Sequence, residues 1–94
     1  MKIRGACKPP GCKLIRIEAD VIQGIIRSIA VRGDFFAVPE EGFERMEARL
    51  AGTAVKDAAR RFEELAGEEG VDVLGIDGVG LALALKEAIS AAGL

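Results

Sequence analysis

The chain has 94 residues, half of them hydrophobic, with 13 Lys and Arg against 15 Asp and Glu and a net charge of −2. That length implies one small domain, 1–94, and the charge gives no electrostatic case for a nucleic-acid partner. No run approaches the roughly 18 apolar residues of a membrane span, and Lys, Arg, Gly and Pro interrupt any signal-peptide core at the start, so a cytoplasmic protein is expected.

With no Trp, no Tyr and four Phe, the core must be filled by Ile, Val, Leu and Ala, and each Phe supplies a large share of its volume. The charge is unevenly placed. Lys2, Arg4, Lys8, Lys13 and Arg16 precede the first carboxylate, Glu18. This is either a solvated basic arm or a cationic edge that meets an anion or an acidic partner surface. Residues 1–12 read as that basic arm, or as a short leading strand that ends in the turn Pro9-Pro10-Gly11.

Lys13 to Val21 alternates, with Ile15, Ile17, Ala19 and Val21 on one face, the pattern of a half-buried strand. Ile22-Gln23-Gly24 is a turn. In the next run Ile26 is out of phase with Ile29 and Val31. A β-bulge near Arg27-Ser28 restores the phase and is the preferred reading; the alternative puts Ile25 inward, with Arg27 on the core face or at an edge. The two runs form an antiparallel hairpin, and Phe35-Phe36-Ala37-Val38 reads as a third strand after a turn at Gly33-Asp34. Pro39 suits the first turn of a helix, with Glu40 and Glu41 at its positive end and Phe43, Met46 and Leu50 on one side. Gly52 stops it. Thr53 is expected to cap a second helix, with Val55, Ala58, Ala59, Phe62 and Leu65 inward and Gly67 at its end. Glu68 to Gly70 reads as an acidic loop. Val71 to Ile76 is open between an extended connection and a buried loop. Asp77 is expected to cap a last helix, about 78–92, with Leu81, Leu85, Ala88, Ile89 and Ala92 inward and with Val79 and Leu83 widening the stripe. Strands followed by helices make an α+β domain: a small N-terminal antiparallel sheet of about three strands packed against about three C-terminal helices.

The sequence offers little chemistry of its own. His is absent, which removes the usual general base near neutral pH and the commonest metal ligand. Neither Ser28 nor Ser90 is flanked by an activating group. The glycines of Gly75-x-x-Gly78-x-Gly80 fit no phosphate-loop pattern and read as the approach to a helix N-terminus. Cys7 and Cys12 cannot fill a structural zinc site alone. A disulfide across the Pro9-Pro10-Gly11 turn and two free thiols both remain open, with a reducing cytosol favouring the thiols. Glu44, Glu47, Glu63 and Glu64 read as solvated helix faces. Arg32-Gly33-Asp34 has the letters of an adhesion motif, but it reads better as the turn leaving a strand, with Gly33 free to take positive φ and Asp34 able to accept nearby backbone N–H groups. Of Phe35 and Phe36, at least one is expected in the core.

The segment Lys13-Leu-Ile-Arg-Ile-Glu, followed by Ile26-x-x-Ile29-x-Val31-x-Gly33-Asp34-Phe35-Phe36-x-x-Pro39-Glu40, resembles the C-terminal accessory domain of lipoate–protein ligases. Leu50-Ala51-Gly52 and Leu74-Gly75-Ile76-Asp77 continue the resemblance, which runs from Cys12 to Gly93. The chain departs from the family's Gly-Gly-Lys at Gly11-Cys12-Lys13. Its own Met and domain length resemble the stand-alone, archaeal-type form, the small subunit of a two-part ligase. The resemblance implies a non-catalytic accessory subunit with no cofactor and no metal of its own. Its partner would be a large catalytic chain that binds lipoate, ATP and Mg and forms lipoyl-adenylate. Lipoyl acceptor domains, the E2 of 2-oxoacid dehydrogenases and the glycine cleavage H protein, are then indirect partners. Gly11, Lys13, Gly33, Asp34, Phe35 and Phe36 are the expected partner- or phosphate-facing residues. The fold is also similar to small iron–sulfur scaffold and sulfur-acceptor domains. This leaves an iron–sulfur or sulfur-transfer scaffold using Cys7 and Cys12 as the alternative function.

Overall fold

The structure, a computed structural model, describes residues 1–93; Leu94, the last residue of the expected domain, lies outside the described residues. Three strands, β1 (Lys2–Cys7), β2 (Ile15–Ile22) and β3 (Ile25–Gly33), form an antiparallel sheet in the order β1-β2-β3. β4 (Phe36–Val38) leads into helix α1 (Glu40–Arg49), a 3-10 turn spans Val55–Asp57, and α2 (Ala58–Glu69), β5 (Asp72–Leu74) and α3 (Gly78–Ala91) complete the order. The α+β class and the sheet-then-helices order agree with the sequence.

The sheet's third strand does not. The basic stretch expected as an arm or short strand is β1, paired along its whole length with β2 from Lys2↔Asp20 to Cys7↔Ile15. The segment expected as the third strand pairs instead with β5, Phe36↔Leu74 and Val38↔Asp72, in a separate two-stranded ribbon. The physical reason lies at the edge of β3. The Val31 N–H donates to Glu47 Oε2 of α1 at 2.6 Å, so a side chain already occupies the edge that β4 would need. Val71 to Ile76 accordingly contains a strand, β5.

Alternation along β2 holds, with Ile15, Ile17, Ala19 and Val21 buried and Arg16 and Glu18 exposed. The hairpin turn takes positive φ at Gln23 (51°) and Gly24 (76°), the type I′ geometry that matches strand twist. The expected bulge is present: Asp20 opposes Ser28 while Val21 opposes Ile26, which leaves Arg27 as the extra residue and puts Ile26, Ile29 and Val31 all inward.

Three helix boundaries differ from expectation. Pro39 sits just outside α1 as an extended N-cap, its carbonyl accepting from Phe43 N–H at 3.3 Å. Thr53 caps nothing, because its carbonyl accepts from Ile26 N–H at 2.8 Å and holds the segment extended beside β3; the helix therefore starts later, at Ala58. Gly67 stays helical and Gly70 ends α2 with φ 64°. Glu68 and Glu69 are thus the last turn of α2 rather than a loop, and they reach across to Arg49 and Arg45 of α1.

The helices share one side of the sheet. α3 lies on β1 and β2, α1 on β3 and β4, and α2 packs on α1 and α3. Phe62 of α2 is 1% exposed and stands edge-on to Phe43 of α1 at 6.4 Å. On α3, Leu81, Leu85 and Ala88 of the expected stripe are buried, with Ala84 beside them, and Ile89 is half-buried; Ala92 is exposed because it lies past the last residue of the helix, and Val79 and Leu83 stay exposed as well. Asp77 caps this helix as expected, Oδ1 accepting from Gly80 N–H at 2.8 Å. Glu63 of α2 adds a second acceptor for its first turn, on Gly78 N–H at 2.7 Å. Glu47 and Glu63 are therefore structural acceptors and not merely solvated. The glycines before α3 serve contact: a Cβ on Gly78 would lie 2.2 Å from the Ala59 carbonyl oxygen.

Candidate functional site

The resemblance-bearing residues meet where three segments cross: the loop before β2, the exit of β3, and the loop after β5. The Lys13 N–H donates to the Gly75 carbonyl at 2.6 Å, and the Asp34 N–H donates to the Leu14 carbonyl at 3.1 Å. Gly33, at φ 147°, passes so close to Leu14 that an added Cβ would lie 2.0 Å from its carbonyl oxygen. A glycine is obligatory there on both counts. At Gly75 (φ 106°) a Cβ would touch Lys13 Cγ and Phe35 Cβ, each at 3.1 Å. Lys13, Gly33, Asp34 and Phe35 are thus gathered around Leu14 and Gly75. Asp34 enters through its own N–H; among the described residues its side chain has no backbone partner.

The two adjacent Phe separate. Phe35 turns inward, its ring 5.3 Å from that of Phe43, so Phe35, Phe43 and Phe62 link the crossing to the core. Phe36 turns outward and is 74% exposed. Its register partner Leu74 (66%) and Val38 (63%) share its side of the ribbon, which makes a continuous apolar face. A groove beside it is lined by Arg32, Phe35, Phe36, Val38, Glu40 and Glu44. Sequence reasoning missed Val38, Leu74 and Gly75. The short apolar run Phe35 to Val38 was a usable signal for a strand, but the partner strand lies 34 residues away, and nothing local announces the pairing.

Gly11 does not join this cluster. It sits at φ 76° in the turn closed by Cys12 N–H on the Pro9 carbonyl at 2.9 Å, with open space where a Cβ would be. The departure at position 12 has a different consequence. Cys12 is buried beneath the start of α3, its thiol 3.6 Å from Asp77 Oδ1, and a Cβ on Gly80 would lie 2.6 Å from its Sγ. Burial raises the Cys12 pKa against an Asp77 backbone hydrogen bond that lowers it, and the Asp77 carboxylate adds to the rise; burial and Glu87 raise that of Cys7. Both sulfurs are free and held toward the thiol form, the weaker nucleophile and ligand. Among the described residues no group of three Cys, Asp or Glu is placed to hold a metal ion, and no helix is long and apolar enough to cross a membrane.

No family model and no curated protein matches the sequence. A solved structure does. It is the archaeal lipoylation system of Thermoplasma acidophilum, comprising a bi-partite lipoate protein ligase and its E2 lipoyl domain. One of its chains matches with a TM-score of 0.69 and 26% identity, over 90% of this chain and 97% of that one. This chain is similar to a component of an archaeal lipoylation system. The likeness is not confined to the sheet, since it spans nearly the whole of both chains.

Proposed function

We propose that this chain is the accessory subunit of a two-part lipoate–protein ligase, docking on a large catalytic chain and enabling it to form lipoyl-adenylate for protein lipoylation. The observation that carries this reading is the match along nearly the whole chain to a component of a bi-partite ligase system. It is supported by the Gly33-Asp34-Phe35-Phe36 crossing, which is the string on which the sequence resemblance rests. Helix α1, followed by Leu50-Ala51-Gly52, favours the ligase side of that system over its acceptor domain, because the accessory-domain pattern includes this helix.

Lipoate, ATP and Mg are bound by the large chain, and the acceptor domains are modified there. This chain acts by favouring the conformer of its partner that makes adenylate. The crossing supplies a rigid base, with Lys13 exposed beside it, and the ribbon displays Phe36, Val38 and Leu74 as apolar contacts for the partner. The test is co-expression with a catalytic ligase chain, followed by lipoate-dependent pyrophosphate release with and without this subunit. Binding and stimulated release are expected. Absence of both overturns the reading. A Lys13→Ala variant that stimulates like the wild type removes Lys13 from the site and leaves the function standing.

A further inference from the structure

The helices cover one side of the three-stranded sheet, and the other side is bare. Its outward positions are Lys2, Arg4 and Ala6 on β1, Arg16, Glu18 and Asp20 on β2, and Ser28, Ala30 and Arg32 on β3. Arg16 lies between Ala6 and Arg32 across the strands, with like charges directly opposed, an arrangement that disfavours the sheet. Arg4 is the diagonal neighbour of Arg16, within reach of a long side chain. Local carboxylates are otherwise engaged. Asp20 takes the N-terminal ammonium at 2.9 Å, and Arg32 takes Glu47 at 3.1 Å. That leaves Lys2, Arg4 and Arg16 facing one unpaired carboxylate, Glu18. Among the described residues neither Arg4 nor Arg16 forms an ion pair, whereas Arg45, Arg49, Arg60 and Arg61 on the helices all do. The asymmetry is general. Lys2, Arg4, Lys8, Lys13, Arg16, Arg27 and Arg32 accompany only Glu18 and Asp20 up to residue 32, although the whole chain is acidic.

We propose that the bare face of the sheet, through Arg4 and Arg16, docks an acidic surface of the large catalytic chain. The inference rests on the accessory-subunit reading and adds the face and the chemistry of the contact. Charge complementarity identifies the occupant's chemistry. A solvent-open face three strands wide does not enclose a small anion, and ion pairs left in water are screened within about 8 Å at physiological salt. A protein surface that covers the face supplies carboxylates and excludes that water, and Arg is among the residue types enriched at such contacts. Continuity points the same way. Arg32 lines both the shallow depression on this face, with Arg4 and Arg16, and the groove beside Phe36 and Val38. One partner reaching over Arg32 meets cationic and apolar contacts together.

The test uses the whole chain and its large partner, with association and dissociation followed at several salt concentrations. In Arg4→Gln/Arg16→Glu the new carboxylate faces Arg32, so the strand register is retained, and a melting curve checks the fold. If that variant is unfolded, Arg4→Gln/Arg16→Gln replaces it. Lys56→Gln/Lys86→Glu makes the same change in net charge on the helical side. The expected result is an association rate lower by about tenfold or more at low salt for the sheet variant only, with the gap closing as salt rises. If the wild type binds and the sheet variant associates equally fast, or no faster or slower than the helical control, this inference fails while the accessory reading stands. If the wild type does not bind, the accessory reading fails and this one with it. Loss of binding to inorganic phosphate or to an acceptor lipoyl domain, with large-chain binding intact, also overturns it.

Discussion

The helical layer and the uncovered side of the molecule use the same residue types in opposite ways. In the helices Phe43 and Phe62 meet edge-on inside and every Arg finds a carboxylate. On the uncovered side Phe36 stands in solvent beside Val38 and Leu74, and among the described residues Arg4 and Arg16 form no ion pair. Residues of the first kind hold the fold, so replacing them should cost stability. Residues of the second kind contribute little to the fold and are displayed, so replacing them should cost binding. The largest contrast is between two Phe. Phe62→Ala leaves a cavity at the meeting of α1, α2 and α3 and should lose about 3–5 kcal/mol, most of a small domain's stability. Phe36→Ser should change stability by no more than about 0.5 kcal/mol while weakening binding to the large chain by tenfold or more, the scale of an aromatic anchor at an interface. Urea unfolding and a binding titration on each variant separate the two. Equal losses of stability would erase the distinction.

The next prediction concerns a residue on the border. Glu47 accepts from Val31 N–H at 2.6 Å and from Arg32 at 3.1 Å, closing the edge of β3. Glu47→Ala strips the acceptor from a half-buried strand N–H and should cost about 1–3 kcal/mol, whereas Glu44→Ala, on the same helix and exposed, should cost little. Glu47→Gln keeps an oxygen and should restore most of the loss. The open edge left by Glu47→Ala also gives β3 a free strand edge, so self-association in light scattering should rise for that variant alone.

Much of this was legible from local pattern. Period two in β2, the phase slip at Arg27, the Asp77 cap and the Phe43-Met46-Leu50 face are all set by neighbours within a few residues, and each is where the sequence placed it. The misses share one cause, which is contact with a distant segment. Thr53 failed as a cap because Ile26 holds its carbonyl, β4 left the sheet because Glu47 had taken the edge, and Gly67 stayed helical because α1 anchors Glu68 and Glu69. At the site, the Gly-Asp-Phe-Phe string announced its turn and its one inward-turned ring, but not that Leu74 and Gly75 complete it. The cationic stretch up to Arg16 was visible as charge; only the strand register shows that Arg4 and Arg16 share a bare face.

The smallest effect lies in the paired arginines. Arg49 reaches Glu68 at 2.6 Å and Glu69 at 3.0 Å, and Arg45 reaches Glu69 at 2.7 Å, clamping the end of α2 to α1. Hydrogen bonds from Arg49 hold the Glu68 carboxyl below its ordinary 4.5, and those from Arg45 and then Arg49 do the same for Glu69. A carboxyl whose pKa is lower in the folded chain than in the unfolded one stabilises the fold above its unfolded value and loses that contribution as pH falls through the folded value. Stability should therefore decline as pH drops below about 4.5, with Asp20, held low by the N-terminal ammonium, contributing to the same slope. All three carboxyls are solvent-accessible, so salt weakens the effect. Arg49→Ala should flatten the acid limb of a melting-temperature curve taken from pH 7 to 3, and 0.5 M salt should flatten that of the wild type. Binding through Arg4 and Arg16 should be untouched by Arg49→Ala at neutral pH, because the clamp lies among the helices, away from the bare face. A variant that lost both would show that the two sets of arginines are coupled through the fold, and the division between residues that hold it and residues that display it would no longer stand.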